Sequence, residues 1–427
     1  MFNGLTGGAV AARRGMYRHP LVRALMPLLG PLPAGRGWSA RALALGAVLM
    51  SWDAAPTLAQ RFESALAVLD TLPRRRRTGR TYQGFVKALS RGRGVLEALA
   101  GRLRLFTERA ASGCWRVGEW TPIGVDGSRF DAPRTLANEA LGLAGRDKCG
   151  PQMVALLLVH LGSMLPWAWR LGPVCESERS LLRSMLGVLP ARTLLVADAG
   201  FVGFDLLSML RGQGVHFLVR VGRGVHLLRG LGCYRREGRD TVYLWPDRER
   251  SRPPLVLRLI RIGDVHLITD VTDPKGLSKK AAAELYRRRW GLELAFRSLK
   301  QTLERRKVRS GAPGNAMAEL GWTIAGMWAL SLLGVRAVVG AGHGPRRLSL
   351  AKALAAVRAA HRGGSERALR RRLRRAVQDH YRRRSSKRAY RWPHKKRPQP
   401  PGPPRLTIAT AAQVREAQRL RSQRQAA

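Results

Sequence analysis

The sequence predicts an α/β protein: a mixed sheet with flanking helices and a β-strand insertion, set between helical N-terminal and C-terminal regions. Three observations predict it. Apolar residues recur at helical spacing up to about residue 115 and again from about 278. Short apolar runs bounded by Gly, Asp and Arg-rich turns lie between them. Their order is three consecutive strands, then helix, strand, helix, strand, which suits a mixed sheet with helices on its faces.

The elements follow in order. Ala42 to Met50, Leu58 to Leu72 and Tyr82 to Arg104 are helical by apolar spacing, and Arg74-Arg75-Arg76-Arg77 sits between two of them. A charge run is usually a solvated face, but beside a helical module in a basic chain it also suits phosphate contact. Residues 1–115 therefore form an expected basic, helical DNA-binding region. From Thr121 the pattern changes. Pro122 to Val125 is a short strand ending at Asp126, and Met153 to Leu161 and Leu165 to Leu171 are strands joined by a Gly162-Ser163 turn. Glu176 to Leu189 is a helix, Thr193 to Ala197 a strand ending at Asp198, Phe204 to Arg211 a helix and Val215 to Val221 a strand. Four short strand-like runs, Val225 to Leu228, Thr241 to Trp245, Leu255 to Ile262 and Val265 to Thr269, form a β insertion at 222–270 of a sheet-bearing domain at 116–310. Ser278 opens a long helix to about Arg306, its hydroxyl suited to an N-cap. Residues 311–384 are expected to be helical. The Pro, Arg and Lys-rich tail at 385–427 is expected to be disordered.

Charge narrows the function. Lys and Arg number 77 against 28 acids, a net charge of +49. Such a charge opposes compaction unless a polyanion neutralises it, and nucleic acid is the obvious polyanion. A GC-rich codon bias explains Arg over Lys but not the shortage of acids. Cys114, Cys149, Cys175 and Cys233 form no C-x-x-C pair, which argues against a zinc site or a disulfide framework and suits a reducing cytoplasm. The acid-free start resembles a transit peptide, but Pro20, Pro27, Pro31 and Pro33 break any long amphipathic helix there. Met317 to Gly340 is long and apolar enough to raise a membrane question. It contains Glu319, Arg336 and several glycines, so a buried helix pair is expected and no membrane partner.

The helix from Ser278 carries the chemistry. Tyr286, Arg289, Glu293 and Lys300 fall within roughly 60° of one another on one face at about 100° per residue. Leu285, Leu292, Phe296, Leu299 and Leu303 form an adjoining apolar stripe. Spacing alone leaves open a solvated strip of ordinary ion pairs. The pattern Tyr286-x2-Arg289-x3-Glu293-x6-Lys300, within Leu285-Tyr-Arg-Arg-Arg-Trp-Gly-Leu-Glu-Leu-Ala-Phe-Arg-Ser-Leu-Lys300, matches the signature of the insertion-sequence-four family of DDE transposases. The resemblance covers about residues 120–340. Gly291 departs from it, because a larger residue is expected after the Trp.

This resemblance implies an RNase H-like sheet and two further carboxylates at strand ends. Asp126 in Ile123-Gly-Val-Asp-Gly-Ser128 fits the first, and Asp198 in Leu194-Leu-Val-Ala-Asp-Ala-Gly-Phe201 the second. A strand-end Asp can equally cap a turn, and Asp131, Asp205, Asp270 and Glu176 are rivals. Asp126, Asp198 and Glu293 are the expected catalytic residues and ligands of two Mg²⁺ or Mn²⁺ ions, which suit oxygen donors and in-line phosphoryl transfer. Arg289, Lys300, Arg297 and Tyr286 would contact phosphates, Arg as a fork and Lys as a point charge. Trp245 could stack on a displaced base, although a core position is the plainer reading. The expected activity is cleavage of transposon ends and joining to target DNA. The expected partners are double-stranded DNA (terminal inverted repeats and target) and a second copy in a DNA-bound homodimer, in the bacterial cytoplasm at the nucleoid. The alternatives are a catalytically inactive or domesticated DNA-binding relative and an RNase H-like, structure-specific nuclease.

Overall fold

Turn chemistry and apolar spacing place most elements where the sequence predicts them. A computed structural model describes residues 17–33, 37–72, 79–143, 150–234, 237–379 and 402–426. Five helices come first: α1 (Pro20–Leu29), α2 (Ala40–Trp52), α3 (Leu58–Leu69), α4 (Tyr82–Arg91) and α5 (Arg93–Ala110). Pro20 opens α1 at a position where a missing N–H costs nothing, and this short helix holds Pro27 as well. The expected single helix from Tyr82 is two, divided at Gly92. The Arg74–Arg77 run lies outside the described residues.

Strands β1 (Thr121–Asp131), β2 (Gln152–His160) and β3 (Leu165–Pro173) are followed by the short helix α6 (Glu178–Arg183). Next come β4 (Thr193–Ala197), α7 (Phe204–Gly212) and β5 (His216–Val221). Then β6 (His226–Arg229), β7 (Thr241–Leu244), β8 (Leu255–Ile262) and β9 (Val265–Thr269) precede α8 (Lys279–Arg297). Ser278 caps α8, accepting from the Ala281 N–H at 3.1 Å. Helices α9 (Pro313–Val339), α10 (Leu350–His361) and α11 (Glu366–Arg374) follow, then β10 (Arg405–Ile408) and α12 (Ala411–Ala426). The fold is a mixed ten-stranded sheet with flanking helices, the α/β class that the sequence predicts.

Two compact units divide the chain. The first holds residues 1–115, 126–185 and 291–378. Its sheet segment runs β1-β2-β3, with β2 and β3 antiparallel. Strand β2 is buried from Met153 to His160, so both of its faces are covered. Helix α9 is buried on nearly every side and packs on α2, α5 and β3. The Trp52 indole donates to the Gly326 carbonyl at 2.9 Å, and Trp328 donates to Thr107 at 2.8 Å. A Cβ on Gly326 would lie 1.9 Å from the Ser51 hydroxyl, so α2 and α9 cross at a distance that only glycine permits. By length and composition α9 could cross a membrane, yet 83% of its apolar window is buried within the protein.

The second unit holds residues 116–125, 186–290 and 379–427, with strands in the order β10-β6-β7-β8-β9-β5-β4-β1. Strands β1, β4 and β5 are parallel, and β9 joins β5 antiparallel. The β insertion expected at 222–270 therefore extends the main sheet from its β5 edge. Residues 402–426 of the tail differ from the disorder expected there, and the tail before 402 lies outside the described residues. Residues 405–408 pair with β6, and α12 is held in part by Arg421, which donates to the Cys233 carbonyl at 2.6 Å. Composition conceals this, because an exposed sheet edge can recruit any extended segment that offers backbone hydrogen bonds.

Candidate active site

Strand register positions the two aspartates. Pairing of β1 with β4 runs from Thr121↔Thr193 to Gly124↔Val196, so Asp126 and Asp198 each stand two residues beyond the last pair. Asp198 follows the end of β4, as expected. Asp126 does not end its strand, because β1 continues to Asp131. Each carboxylate accepts the N–H of the next residue, Gly127 at 2.9 Å and Ala199 at 2.8 Å.

In the second unit the helix strip meets Asp198. The Tyr286 hydroxyl donates to Asp198 Oδ1 at 3.2 Å. Arg289 lies 3.5 Å from Oδ2, and Arg220 on β5 lies 3.8 Å from Oδ1. The Arg289 guanidinium also sits 5.5 Å from the Tyr286 ring centre. Burial, and then the Asp198 charge, push the Tyr286 hydroxyl above its ordinary pKa, with Arg289 and Arg220 opposing. Tyr286 therefore remains a protonated donor at neutral pH. Arg289 is 8% exposed and Asp198 37%, so the acid is partly open to solvent while its guanidinium partner is fixed.

In the first unit Lys300 donates to the Ser128 hydroxyl at 2.8 Å, two residues beyond Asp126, and lies 5.0 Å from the Phe130 ring centre. Burial lowers the Lys300 pKa, opposed by Asp131. Residues 298–302 form a π-helical turn, so Lys300 departs from the ideal α-helical wheel. Such turns often accompany functional side chains. Glu293 is half-buried on α8, and Arg297, the last residue of α8, is exposed.

Two residues escaped the sequence reading. Arg220 is one, and no spacing rule ties a β5 residue to the signature. Glu178 is the other. It opens α6 where the sequence suggested Glu176, and burial followed by the Asp126 charge raises its carboxyl pKa, with Arg129 opposing. The Ser177 N-cap was the available signal.

Gly291 has an explanation. A Cβ there would lie 2.1 Å from Met164 Sδ, so the Met164 thioether fills the space of the expected larger residue. Met164 adopts φ +60° in the β2–β3 turn, a conformation uncommon for a non-glycine residue. Trp245 is 4% exposed, donates to the Arg252 carbonyl at 2.8 Å and lies under Arg250. This is the core position that is the plainer reading of the sequence. The rival acids have structural partners: Asp131 accepts from Gln152, Asp205 from Arg252, Asp270 from His216 and Phe217, and Glu176 from Ser180.

With this geometry established, the family described as the transposase DDE domain matches residues 123–327. That segment is similar to DDE transposase domains of the IS4 type. Within it lie Asp126, Asp198, Glu293 and the whole Tyr286-to-Lys300 strip. The chain is similar to transposase InsG for insertion sequence element IS4 from Escherichia coli (strain K12), at 28% identity over 220 residues. The alignment covers 47% of this chain and 49% of that relative, so the chain spans about half the length of the curated relative it matches. A cryo-EM structure of a piggyBac transposase synaptic complex with hairpin DNA is similar at 11% identity and TM-score 0.36, over 83% of this chain and 79% of that one.

The DDE domain implies divalent metal. Among the described residues, no three Asp, Glu, His or Cys side chains gather closely enough to hold one ion. The donor chemistry still fits. Carboxylate oxygens suit Mg²⁺ or Mn²⁺, and Mg²⁺ needs one or two protein carboxylates, completing its shell with water and phosphate oxygens. Asp126 accepts the Gly127 N–H, and the missing Cβ of Gly127 leaves room for the Glu178 carboxylate beside it.

Proposed function

We propose that this chain is a metal-dependent DNA transposase that cleaves transposon ends and joins the resulting 3′-OH to target DNA. The observation that carries the reading is the contact of Tyr286 and Arg289 with Asp198. A solvated strip of ordinary ion pairs has no reason to bury its Arg against a strand-end carboxylate. Asp126, Asp198 and Glu293 are assigned as the metal ligands. Held there, two divalent cations would supply activation of the attacking oxygen and stabilisation of the leaving oxygen.

The chain's own residues do the rest. Tyr286 and Arg289 orient the Asp198 carboxylate and offset its charge. Arg289 and Arg297 offer guanidinium groups to phosphate oxygens, and Lys300 offers a point charge. The net charge of +49 supplies sequence-independent affinity for duplex DNA. Double-stranded terminal repeats and target DNA are the proposed substrates. A DNA-bound homodimer is the proposed assembly, in the bacterial cytoplasm at the nucleoid.

Glu293→Gln tests the reading. The substitution keeps size and hydrogen-bonding shape but removes the negative charge that a metal requires. Strand cleavage in Mg²⁺ is expected to vanish while binding to a transposon-end duplex stays within about twofold, since the phosphate contacts are untouched. Full cleavage by the variant would exclude the metal-ligand role of Glu293. Absence of cleavage and joining in the unmodified chain, with DNA binding intact, would favour the non-catalytic relative.

A further inference from the structure

Glu178 is a carboxylate that the transposase signature does not account for. Helix α6 begins at Glu178 because the Ser177 hydroxyl accepts from the Ser180 N–H at 3.1 Å. That turn aims the Glu178 carboxylate at β1. A Cβ built on Gly127 would lie 2.1 Å from Glu178 Oε1 and 2.4 Å from its carboxyl carbon. The carboxylate therefore occupies the volume that any side chain at 127 would fill. At the same residue, Asp126 Oδ1 accepts the Gly127 N–H at 2.9 Å. Two carboxylates thus share one glycine.

Like charges this close disfavour each other unless a cation offsets both. Arg129 is the cation whose charge acts on Glu178, and it is exposed, where screening weakens it. A hard divalent cation is a stronger partner, since it accepts oxygens from one or two carboxylates and completes its shell with water and phosphate. A structural role is the competing account: an acid in the first turn stabilises a short helix through the backbone dipole. That account needs no glycine at 127.

We propose that Glu178 binds the same divalent cation as Asp126, and that position 127 is glycine to admit the Glu178 carboxylate. The proposal rests on the metal-dependent reading above. Mn²⁺ alone is the probe, titrated into the full-length protein and followed by the electron paramagnetic resonance of the free ion, with thermal unfolding recorded in parallel. Glu178→Gln is expected to raise the Kd for Mn²⁺ about tenfold or more, the scale seen when groups supporting a metal are lost. Gly127→Ala is expected to do the same with every charge retained, by displacing the carboxylate. Gly127 lies outside the left-handed backbone region, so alanine brings no backbone strain. An unchanged Kd in either variant overturns the proposal, and a lowered melting temperature with unchanged Kd assigns Glu178 to helix capping. Asp126→Asn separates the two levels. If it weakens Mn²⁺ binding while Glu178→Gln and Gly127→Ala do not, the metal site stands without Glu178. If Asp126→Asn also leaves the Kd unchanged, the metal-site reading itself fails.

Discussion

Substituting Gly291 by alanine sets two opposing effects against each other on α8. In a helix interior alanine is favoured over glycine by about 1 kcal/mol. Here the new Cβ would lie 2.1 Å from Met164 Sδ and 3.3 Å from its Cε. The helix cannot retreat without disturbing its own hydrogen bonds, so the thioether must swing away. Forcing a methyl into an occupied space costs about 1–3 kcal/mol. Gly291→Ala is therefore expected to destabilise by about 0–2 kcal/mol, the difference of the two effects. Removing the obstacle changes the sign. In a Met164→Gly background the clash is gone, and glycine also accepts the φ of +60° at 164 without the strain that methionine bears. There Gly291→Ala is expected to stabilise by about 1 kcal/mol. The cycle thus predicts a coupling of about 1–3 kcal/mol between positions 164 and 291. Urea unfolding of the four proteins, followed by tryptophan fluorescence, measures it. Additivity within about 0.5 kcal/mol, the behaviour of independent sites, would refute the claim that Met164 replaces a side chain at 291.

Three further outcomes are expected. Lys300→Ala should weaken binding to a transposon-end duplex while leaving Mn²⁺ affinity unchanged, because its ammonium is assigned to phosphate; a filter-binding assay beside a metal titration checks both. Affinity for generic duplex should fall steeply with salt, with a log–log slope of several units, since each phosphate neutralised contributes about 0.9; a nearly flat slope would assign the charge to codon bias. His216 donates to the nearly buried Asp270 carboxylate, and that hydrogen bond raises the imidazole pKa above its usual 6.5. A raised folded pKa means that the stability from this pair is present below the unfolded value and is lost as pH rises through the folded one. The difference in melting temperature between the unmodified chain and Asp270→Asn should therefore be larger at pH 5.5 than at pH 8.5, and a pH-independent difference would refute it.

The local signals in the sequence carried much of the fold and the candidate site. Short continuous apolar runs located β1 to β5, and period-3.6 spacing located the helix opened by Ser278, because burial selects those patterns. The signature strip named Tyr286, Arg289, Glu293 and Lys300 because its chemistry is compressed into one helix. What remained hidden depended on contacts between residues distant in the chain. Arg220 reaches Asp198 from β5, and Glu178 reaches Gly127 from α6. Neither approach has a sequence period, since each is set by how separate elements pack. Trp245 left two readings open, and tertiary burial placed it in the core. Gly291 looked like a defect until Met164 filled its place. The tail offers the same lesson at larger scale: its composition opposes a hydrophobic core, yet 405–408 finds order on the backbone edge of β6. Sequence alone determined the strand-and-helix grammar and the chemistry of one helix, because both are written in neighbouring residues. The tertiary structure decided which distant side chains share a carboxylate, a glycine or a sheet edge, because those depend on three-dimensional distance.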